Sequence, residues 1–330
     1  MRPKSDKNKS YTFSDKELLS LSSSAQTSML KARPDLDELF CKSAYSEVRF
    51  EVATLTSKVE LLSRLYRDRS KAVKKEVAKN SNTPAELLES IFLNSGEELS
   101  HELLSALYRN PNFPEQLRSD LLKKMIADHL NSSIHKCYSD ICHAAENWPS
   151  IKELRPLLLS LQWNVRECIA KRSDLEFSDL EIFMKDWSTD VFKAAYSRIK
   201  SLPPSERERL YVAASHNGDW SSRHMVAKDP ECSKSALLNL IFDEDYDVTE
   251  AALSNKSISP VLLASFLQTK EDYGDEGNTR LRKLANNKIK EIIKKTKDPI
   301  ERERIERDIN MISLGIQTSF EVPDLESLDI

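Results

Sequence analysis

Glycine is scarce in this sequence, which contains 5 glycines and 13 prolines among 330 residues. β-Sandwiches, barrels and dinucleotide-binding folds use glycine in turns and phosphate-binding loops. The glycines at positions 96, 218, 274, 277 and 315 form neither a GxxxxGK phosphate loop nor a GxGxxG dinucleotide motif. This scarcity favours long helices joined by capped turns.

The sequence also lacks a long apolar run, an excess of one charge and an even set of cysteines. No stretch approaches the roughly 20 apolar residues of a membrane span, and the N-terminus lacks the apolar core of a signal peptide. We therefore expect a cytoplasmic protein with no membrane partner. The net charge of -4 does not indicate general nucleic-acid binding, and 5 cysteines favour reduced thiols over a disulfide framework.

A repeated phrase gives the main positive signal. VRFEVAT begins at position 48, VKKEVAK at 73, VRECIAK at 165 and SRHMVAK at 222. Its first residue and the later apolar pair form one stripe on a helix face. Related pairs recur at steps of 23 to 34 residues along a chain that is too long for one compact core. The sequence therefore predicts an all-α solenoid of about ten irregular helical-pair repeats.

Helix-start signatures between the phrases predict the second helix of each pair. A Ser, Thr or Asp side chain, followed three residues later by Glu, can cap the first N–H groups of a helix. The pattern occurs at Ser14/Glu17, Ser57/Glu60, Thr83/Glu86, Ser150/Glu153, Ser178/Glu181, Ser205/Glu208 and Asp298/Glu301. Aromatic residues at the unit starts are interpreted as hydrophobic staples: Tyr45, Trp163, Trp220 and Tyr246.

Two phrases, VAKNSNTPAELL at position 77 and LYRNPNFPEQL at 107, resemble the bacterial leucine-rich repeat variant family. The resemblance covers most of the chain and implies α-helices paired with shorter 3₁₀ helices in a right-handed superhelix. These units are longer than those of the family and approach HEAT-like pairs of α-helices. Some members bind an N-terminal iron–sulfur cluster, but the first hundred residues here contain only Cys41. We therefore expect no cofactor.

Composition divides the chain into five segments. A basic flexible tail is expected over residues 1–13, the solenoid over 14–267 and an acidic loop over 268–279. Residues 280–311 are predicted to form a terminal repeat with a charged capping helix, which a solenoid needs at its open end. Residues 312–330 are an acidic tail that either serves as a docking peptide, folds back on the stack or stays disordered.

A cluster of cysteines and histidines is the strongest candidate for chemistry. It comprises His129, His135, Cys137, Cys142 and His143. The last four are candidate zinc ligands, and Cys–His pairs can also support nucleophilic catalysis. In the repeat register, however, Cys137 aligns with Val48 and Cys142 with Ala53. This alignment favours two small core residues, so we expect neither a metal site nor an enzyme.

Two ladders of basic residues follow the repeat register, and equivalent positions of a solenoid line up along one face. The start-of-helix ladder consists of Arg49, Lys74, Arg166 and Arg223. The end-of-helix ladder consists of Lys79, Arg109, Lys171 and Lys228. All eight are candidate partner-binding residues. The alternative is structural: the cations pair with acids of adjacent turns or with helix dipoles, and the following asparagines, such as Asn80, end helices in the left-handed conformation.

The sequence thus favours a non-catalytic protein-interaction scaffold that binds a partner along the solenoid face. If the ladders bind, stacked cations predict an acidic peptide or a phosphate backbone as the ligand. The first alternative is nucleic-acid binding, by resemblance to HEAT-like solenoids such as the alkylpurine glycosylases, which cradle DNA on a basic concave surface. The second is a metal-binding or enzymatic protein that uses residues 129–143. The sequence does not determine the oligomeric state.

Overall fold

The computed structural model describes residues 13–94, 99–131, 138–269 and 274–314. These residues form 21 α-helices and no strand, which confirms the all-helical prediction. Within the same ranges, no helix combines the length and the apolar character that crossing a membrane requires. The chain divides into two compact units, Met1–Leu157 and Leu158–Ile330.

Helices α1 to α11 belong to unit 1, and α12 to α21 belong to unit 2. In unit 1 they are α1 (Asp15–Ser20), α2 (Ser23–Ala32), α3 (Asp37–Phe40), α4 (Ser46–Leu55), α5 (Val59–Leu65), α6 (Lys71–Lys79), α7 (Ala85–Asn94), α8 (His101–Arg109), α9 (Arg118–Asn131), α10 (Tyr138–Asn147) and α11 (Ile151–Leu154). In unit 2 they are α12 (Trp163–Ala170), α13 (Phe177–Met184), α14 (Thr189–Tyr196), α15 (Pro204–Ser215), α16 (Trp220–Lys228), α17 (Lys234–Leu240), α18 (Tyr246–Ser254), α19 (Pro260–Gln268), α20 (Gly274–Lys295) and α21 (Pro299–Ser313).

Alternate helices pack side by side within each unit. We call α2, α4, α6 and α8 of unit 1, and α12, α14, α16, α18 and α20 of unit 2, the first-layer helices, because each contacts the next in its series. The intervening helices, among them α5, α13, α15 and α17, are the second-layer helices. The repeated phrase lies on first-layer helices and buries its apolar stripe, as Val73, Val77 and Ala78 of α6 do. Each fully buried valine contributes about 1.5–3 kcal/mol relative to exposure.

The turns before six first-layer helices (α4, α6, α12, α14, α16 and α18) each contain one polar residue that closes the turn. Its side chain accepts a hydrogen bond from the backbone N–H two residues later, at 2.8 to 3.2 Å. These entry-turn residues are Ser43, Asp68, Ser160, Asp186, Asn217 and Asp243. Short polar side chains suit this role because they replace a backbone group of the turn.

Four first-layer helices are each followed by a turn that a polar side chain closes in the same way. The exit-turn residues are Asn80, Asn110, Asp229 and Asn255, and each accepts the N–H two residues later at 2.7 to 2.9 Å. The asparagine amides also donate to the preceding first-layer helix, from Asn110 Nδ2 to the Ala78 carbonyl oxygen at 2.7 Å, for example. Asn80, Asn110 and Asn255 have φ between -74° and -58°. The left-handed ending expected for them is therefore wrong, because the side chain closes the turn.

Three other local expectations need correction. Helix α20 begins at Gly274, whose φ is 74°, so residues 274–279 are helical and not loop. Asp275 and Glu276 favour this start because carboxylates are stabilised at a helix N-terminus. The Ser14/Glu17 capping box forms, but α13 begins one residue before Ser178 and is capped by Glu176 and Asp179.

The aromatic residues at the unit starts are also placed differently from the expectation. A hydrophobic staple residue precedes the N-cap. Trp163, Trp220 and Tyr246 are instead the first residues of their helices, and Tyr45 is itself an N-cap. The staple interpretation is therefore wrong for these four residues, and Trp220 remains 49% exposed.

Candidate partner-binding surface

The arginines of the start-of-helix ladder join successive repeats. Arg166 on α12 donates from Nε and Nη2 to both carboxylate oxygens of Asp186, at 2.6 and 2.8 Å, and from Nη1 to the Ser160 carbonyl oxygen at 2.7 Å. Ser160 is the entry-turn residue of its own repeat, and Asp186 is that of the next. Arg166 is 4% exposed, so its guanidinium is enclosed by the protein.

The same arrangement, in which one arginine donates to both carboxylate oxygens of one aspartate, occurs at two other positions of the start-of-helix ladder. We call it a clamp. Arg49 donates to both oxygens of Asp68, at 2.6 and 3.0 Å, and Arg223 donates to both oxygens of Asp243, at 2.7 and 2.9 Å. Each Nη1 also donates to the carbonyl oxygen six residues earlier. All three arginines therefore fit the structural alternative, in which the cations of the ladder pair with acids of adjacent turns. Lys74 is half-buried and forms no ion pair within 4.0 Å among the described residues.

The end-of-helix ladder lies at the surface. The side chains of Lys79, Arg109 and Lys171 are 52%, 63% and 56% exposed, and Lys228 is exposed as well. Lys171 pairs with Glu167 at 2.7 Å on its own helix. Lys228 has no ion pair within 4.0 Å in the described part of the chain. The candidate residues therefore separate into enclosed arginines and exposed cations.

Exposed cations of unit 1 line an open groove between α6 and α8, called the α6/α8 groove. Its volume is about 580 Å³, and its lining includes Lys75, Lys79, Glu102, Ser105, Ala106 and Arg109. His101 of α8 and Ser139 and Asp140 of α10 complete the lining. Arg109 Nε donates to the buried Asp140 carboxylate at 2.6 Å, and Ser105 donates to the other carboxylate oxygen at 2.5 Å. The groove thus contains one cation that a buried carboxylate holds in place, Arg109, and two lysines that no buried carboxylate holds.

Unit 2 has a groove between the equivalent surfaces of α16 and α18, called the α16/α18 groove. Its volume is about 410 Å³, and its lining includes His224, Lys228, Asp247, Glu250, Ala251 and Ser254. When the exit-turn residues Asn80 and Asn110 are aligned with Asp229 and Asn255, these six positions match six lining positions of the α6/α8 groove. The same repeat register therefore creates both grooves.

No protein-family model matches this chain, and no curated protein matches it either. The resemblance to leucine-rich repeat variant and HEAT-like repeats remains a prediction from the quoted phrases.

The cysteine and histidine cluster lies partly outside the described residues, which include neither His135 nor Cys137. Cys142 is a partly exposed cysteine on α10, and Tyr108 Oη lies 2.8 Å from His143 Nδ1. His129 is buried on α9. In the described part of the chain, no three His, Cys, Asp or Glu side chains converge as metal ligands would.

Sequence reasoning did not single out several residues that shape these surfaces. The clamp acids Asp68, Asp186 and Asp243 follow their arginines by 19 or 20 residues. That constant spacing is a signal that could have identified the pairs. Glu102 and Ser105 carry no such signal, because their place in a groove depends on how α8 packs beside α6.

Proposed function

We propose that this protein is a non-catalytic interaction scaffold whose first-layer helices bind a protein partner. We further propose that the helical pairs of each unit are repeats of the α-solenoid type. The right-handedness and the number of about ten repeats stay predictions from the sequence.

One observation supports the binding function most directly: each unit has an open groove at the same repeat register. The polar residues around the grooves divide into two groups. Arg49, Asn80 and their equivalents hold the fold, whereas Lys79, Arg109 and Lys228 extend charge into solvent. Exposed charged side chains contribute little to stability, so their recurrence at one register favours recognition.

Site-specific photocrosslinking in cells tests this proposal. A photoreactive amino acid replaces Ser139 in the α6/α8 groove or Ser254 in the α16/α18 groove. Matched controls replace Ser63 on α5 or Ser205 on α15, which are also exposed serines but lie on second-layer helices. We expect a discrete protein adduct from one or both groove positions and none from the controls.

Equal adduct yields from all four positions would contradict binding along the first layer. An adduct whose added mass is removed by nuclease would replace the protein partner with a nucleic acid.

A further inference from the structure

The two grooves share a register but differ in charge. At the position of Arg109, the α16/α18 groove has Ser254, and at the position of Ser105 it has Glu250. The exchange removes one cation and adds one carboxylate. The α16/α18 groove is therefore lined by two lysines, Lys228 and Lys256, and two carboxylates, Asp247 and Glu250, of which Glu250 lies 3.1 Å from Arg280 Nη2.

The first wall of the α6/α8 groove is unusually basic. Helix α6 carries four lysines, at positions 71, 74, 75 and 79, and one acid, Glu76. Lys79 Nζ lies 3.5 Å from Glu76, and Lys75 has no ion pair within 4.0 Å in the described residues. Both lysines line the groove, whose two carboxylates are Glu102, which lies 2.8 Å from His101 Nε2, and Asp140, which Arg109 contacts.

The second wall supplies a cation of fixed position. The buried Asp140 carboxylate holds Arg109 Nε, and Ser139 Oγ accepts from Nη2 at 3.1 Å. The side chain is nevertheless 63% exposed, and Nη1 has no protein acceptor in the described residues. Because a guanidinium already held in place loses less rotamer entropy on binding, it is a pre-organised donor for a carboxylate.

We propose that the α6/α8 groove binds an acidic protein segment, with Arg109, Lys79 and Lys75 contacting its carboxylates. The α16/α18 groove does not bind that segment, because it has Ser254 in place of Arg109 and Glu250 in place of Ser105. The assignment rests on the proposed function and adds the partner's chemistry and the site of contact. Charge complementarity carries it, since three cations and two carboxylates line the α6/α8 groove, whereas two lysines and two carboxylates line the α16/α18 groove.

Fluorescence anisotropy of a fluorescein-labelled octaglutamate peptide tests the site on the full-length protein. We expect binding that weakens as salt screens the charges, and about tenfold weaker binding by the double variant K75Q/K79Q. The control K42Q/R67Q removes two exposed cations of unit 1 that lie outside the groove, and it should bind like the wild type. These variants leave Arg109 in place, so the buried Asp140 keeps its partner.

A gain-of-function variant separates groove chemistry from a general charge effect. In the K75Q/K79Q background, E250S/S254R gives the α16/α18 groove the serine and the arginine that the α6/α8 groove has at the two equivalent positions. We expect it to recover several-fold of the lost affinity for octaglutamate, whereas an octaglutamine peptide should bind neither protein. Loss of affinity in K42Q/R67Q equal to that in K75Q/K79Q would overturn the proposal.

The outcomes also separate this inference from the proposed function. If octaglutamate fails to bind while the crosslink from Ser139 persists, the acidic segment is wrong and the scaffold function stands. If a fluorescein-labelled dT12 oligonucleotide binds more tightly than octaglutamate and loses affinity in K75Q/K79Q, the groove recognises nucleic acid and the acidic protein segment is wrong. Loss of both the crosslink and peptide binding would end both proposals.

Discussion

The two basic ladders occupy opposite ends of the same first-layer helices, yet they have different physical roles. At the helix start, Arg166 is 4% exposed and bridges two entry turns through three hydrogen bonds. At the helix end, Arg109 is held by one carboxylate and keeps most of its surface in solvent. A recurring cation is therefore informative about binding only after its carboxylate and carbonyl partners are known.

The exit turn after α6 shows the same contrast between two adjacent residues. Lys79 ends α6 with its side chain in solvent, whereas Asn80, the next residue, is buried and donates to the Ala53 and Thr56 carbonyl oxygens at 2.7 and 2.9 Å. Neighbouring polar residues of one repeated phrase therefore divide between holding the stack and facing solvent. Substitutions at the two kinds of position should differ strongly in their effect on stability.

The largest effect is expected from breaking a clamp. Arg166→Ala leaves the Asp186 carboxylate buried without its guanidinium, which should cost about 3–5 kcal/mol in the free energy of unfolding. Urea denaturation followed by far-UV circular dichroism measures the loss. Far-UV detection is preferable to tryptophan fluorescence because Arg166 lies over the Trp187 ring, with its Cζ 5.1 Å from the centroid.

Two matched variants in the same repeat, at Arg166 itself and at Lys171 directly after α12, test whether the loss comes from the broken ion pair. Arg166→Lys keeps the charge but cannot donate to both Asp186 oxygens in a fixed fork, so we expect an intermediate loss. Lys171→Ala removes an exposed cation of the other ladder and should change stability by less than about 0.5 kcal/mol. Similar losses for Arg166→Ala and Lys171→Ala would mean that the ladders do not differ as described.

Much of this fold could be predicted from the sequence, because the apolar stripe of the repeated phrase depends only on helical periodicity. Val52, Val77, Ile169 and Val226 are all fully buried, as that periodicity requires. The clamps were harder to predict. The acid that meets Arg166 lies one repeat later, so the pairing depends on how two repeats pack.

The candidate site was predictable in part for a related reason. Register alone identified Lys79, Arg109 and Lys228 as recurring cations, and they do lie at the surface. It did not distinguish the α6/α8 groove from the α16/α18 groove. That distinction comes from substitutions such as Ser105 to Glu250, whose effect on charge depends on which side chains share the groove.

An intermediate effect is expected at the exit turns, where Asp229 occupies the position that is asparagine in the other three turns. Asp229 Oδ2 accepts hydrogen bonds from the Tyr196 and Tyr211 hydroxyls, at 3.0 and 3.2 Å. Asn110→Asp would instead place a carboxylate against the Ala78 and Asn80 carbonyl oxygens without a donor. We expect a loss of about 1–3 kcal/mol in the free energy of unfolding, measured by urea denaturation.

The reciprocal change provides the control. Asp229→Asn keeps an oxygen that can accept from Tyr196 or Tyr211, so its cost should be smaller than that of Asn110→Asp. If the Asn110→Asp variant is as stable as the wild-type protein, the hydrogen bonds that the exit-turn amides donate do not stabilise the packing of successive repeats.

The smallest effect concerns the helix start again, at the N-cap of α16. Burial alone would raise the pKa of Asp219, but hydrogen bonds from the Ser221 and Ser222 hydroxyls, the Ser222 backbone N–H and Thr189 lower that pKa from 3.8 to about 2. Because the folded pKa lies below the unfolded value, ionised Asp219 stabilises the fold above pH 4. That contribution disappears as the pH falls from about 4 to 2.

The variant Asp219→Asn isolates this contribution, since asparagine also caps a helix but does not titrate. We expect wild-type protein to be more stable than the variant at pH 7 by less than about 1 kcal/mol, because Asp219 is partly exposed and solvent screens its interactions. Thermal unfolding at several pH values should show the difference shrinking as the pH falls from 4 through the folded pKa of about 2. A difference that stayed constant between pH 4 and pH 2 would assign the stabilisation to side-chain geometry. The charge of Asp219 would then not distinguish this helix start from the exit turns, which neutral asparagines close.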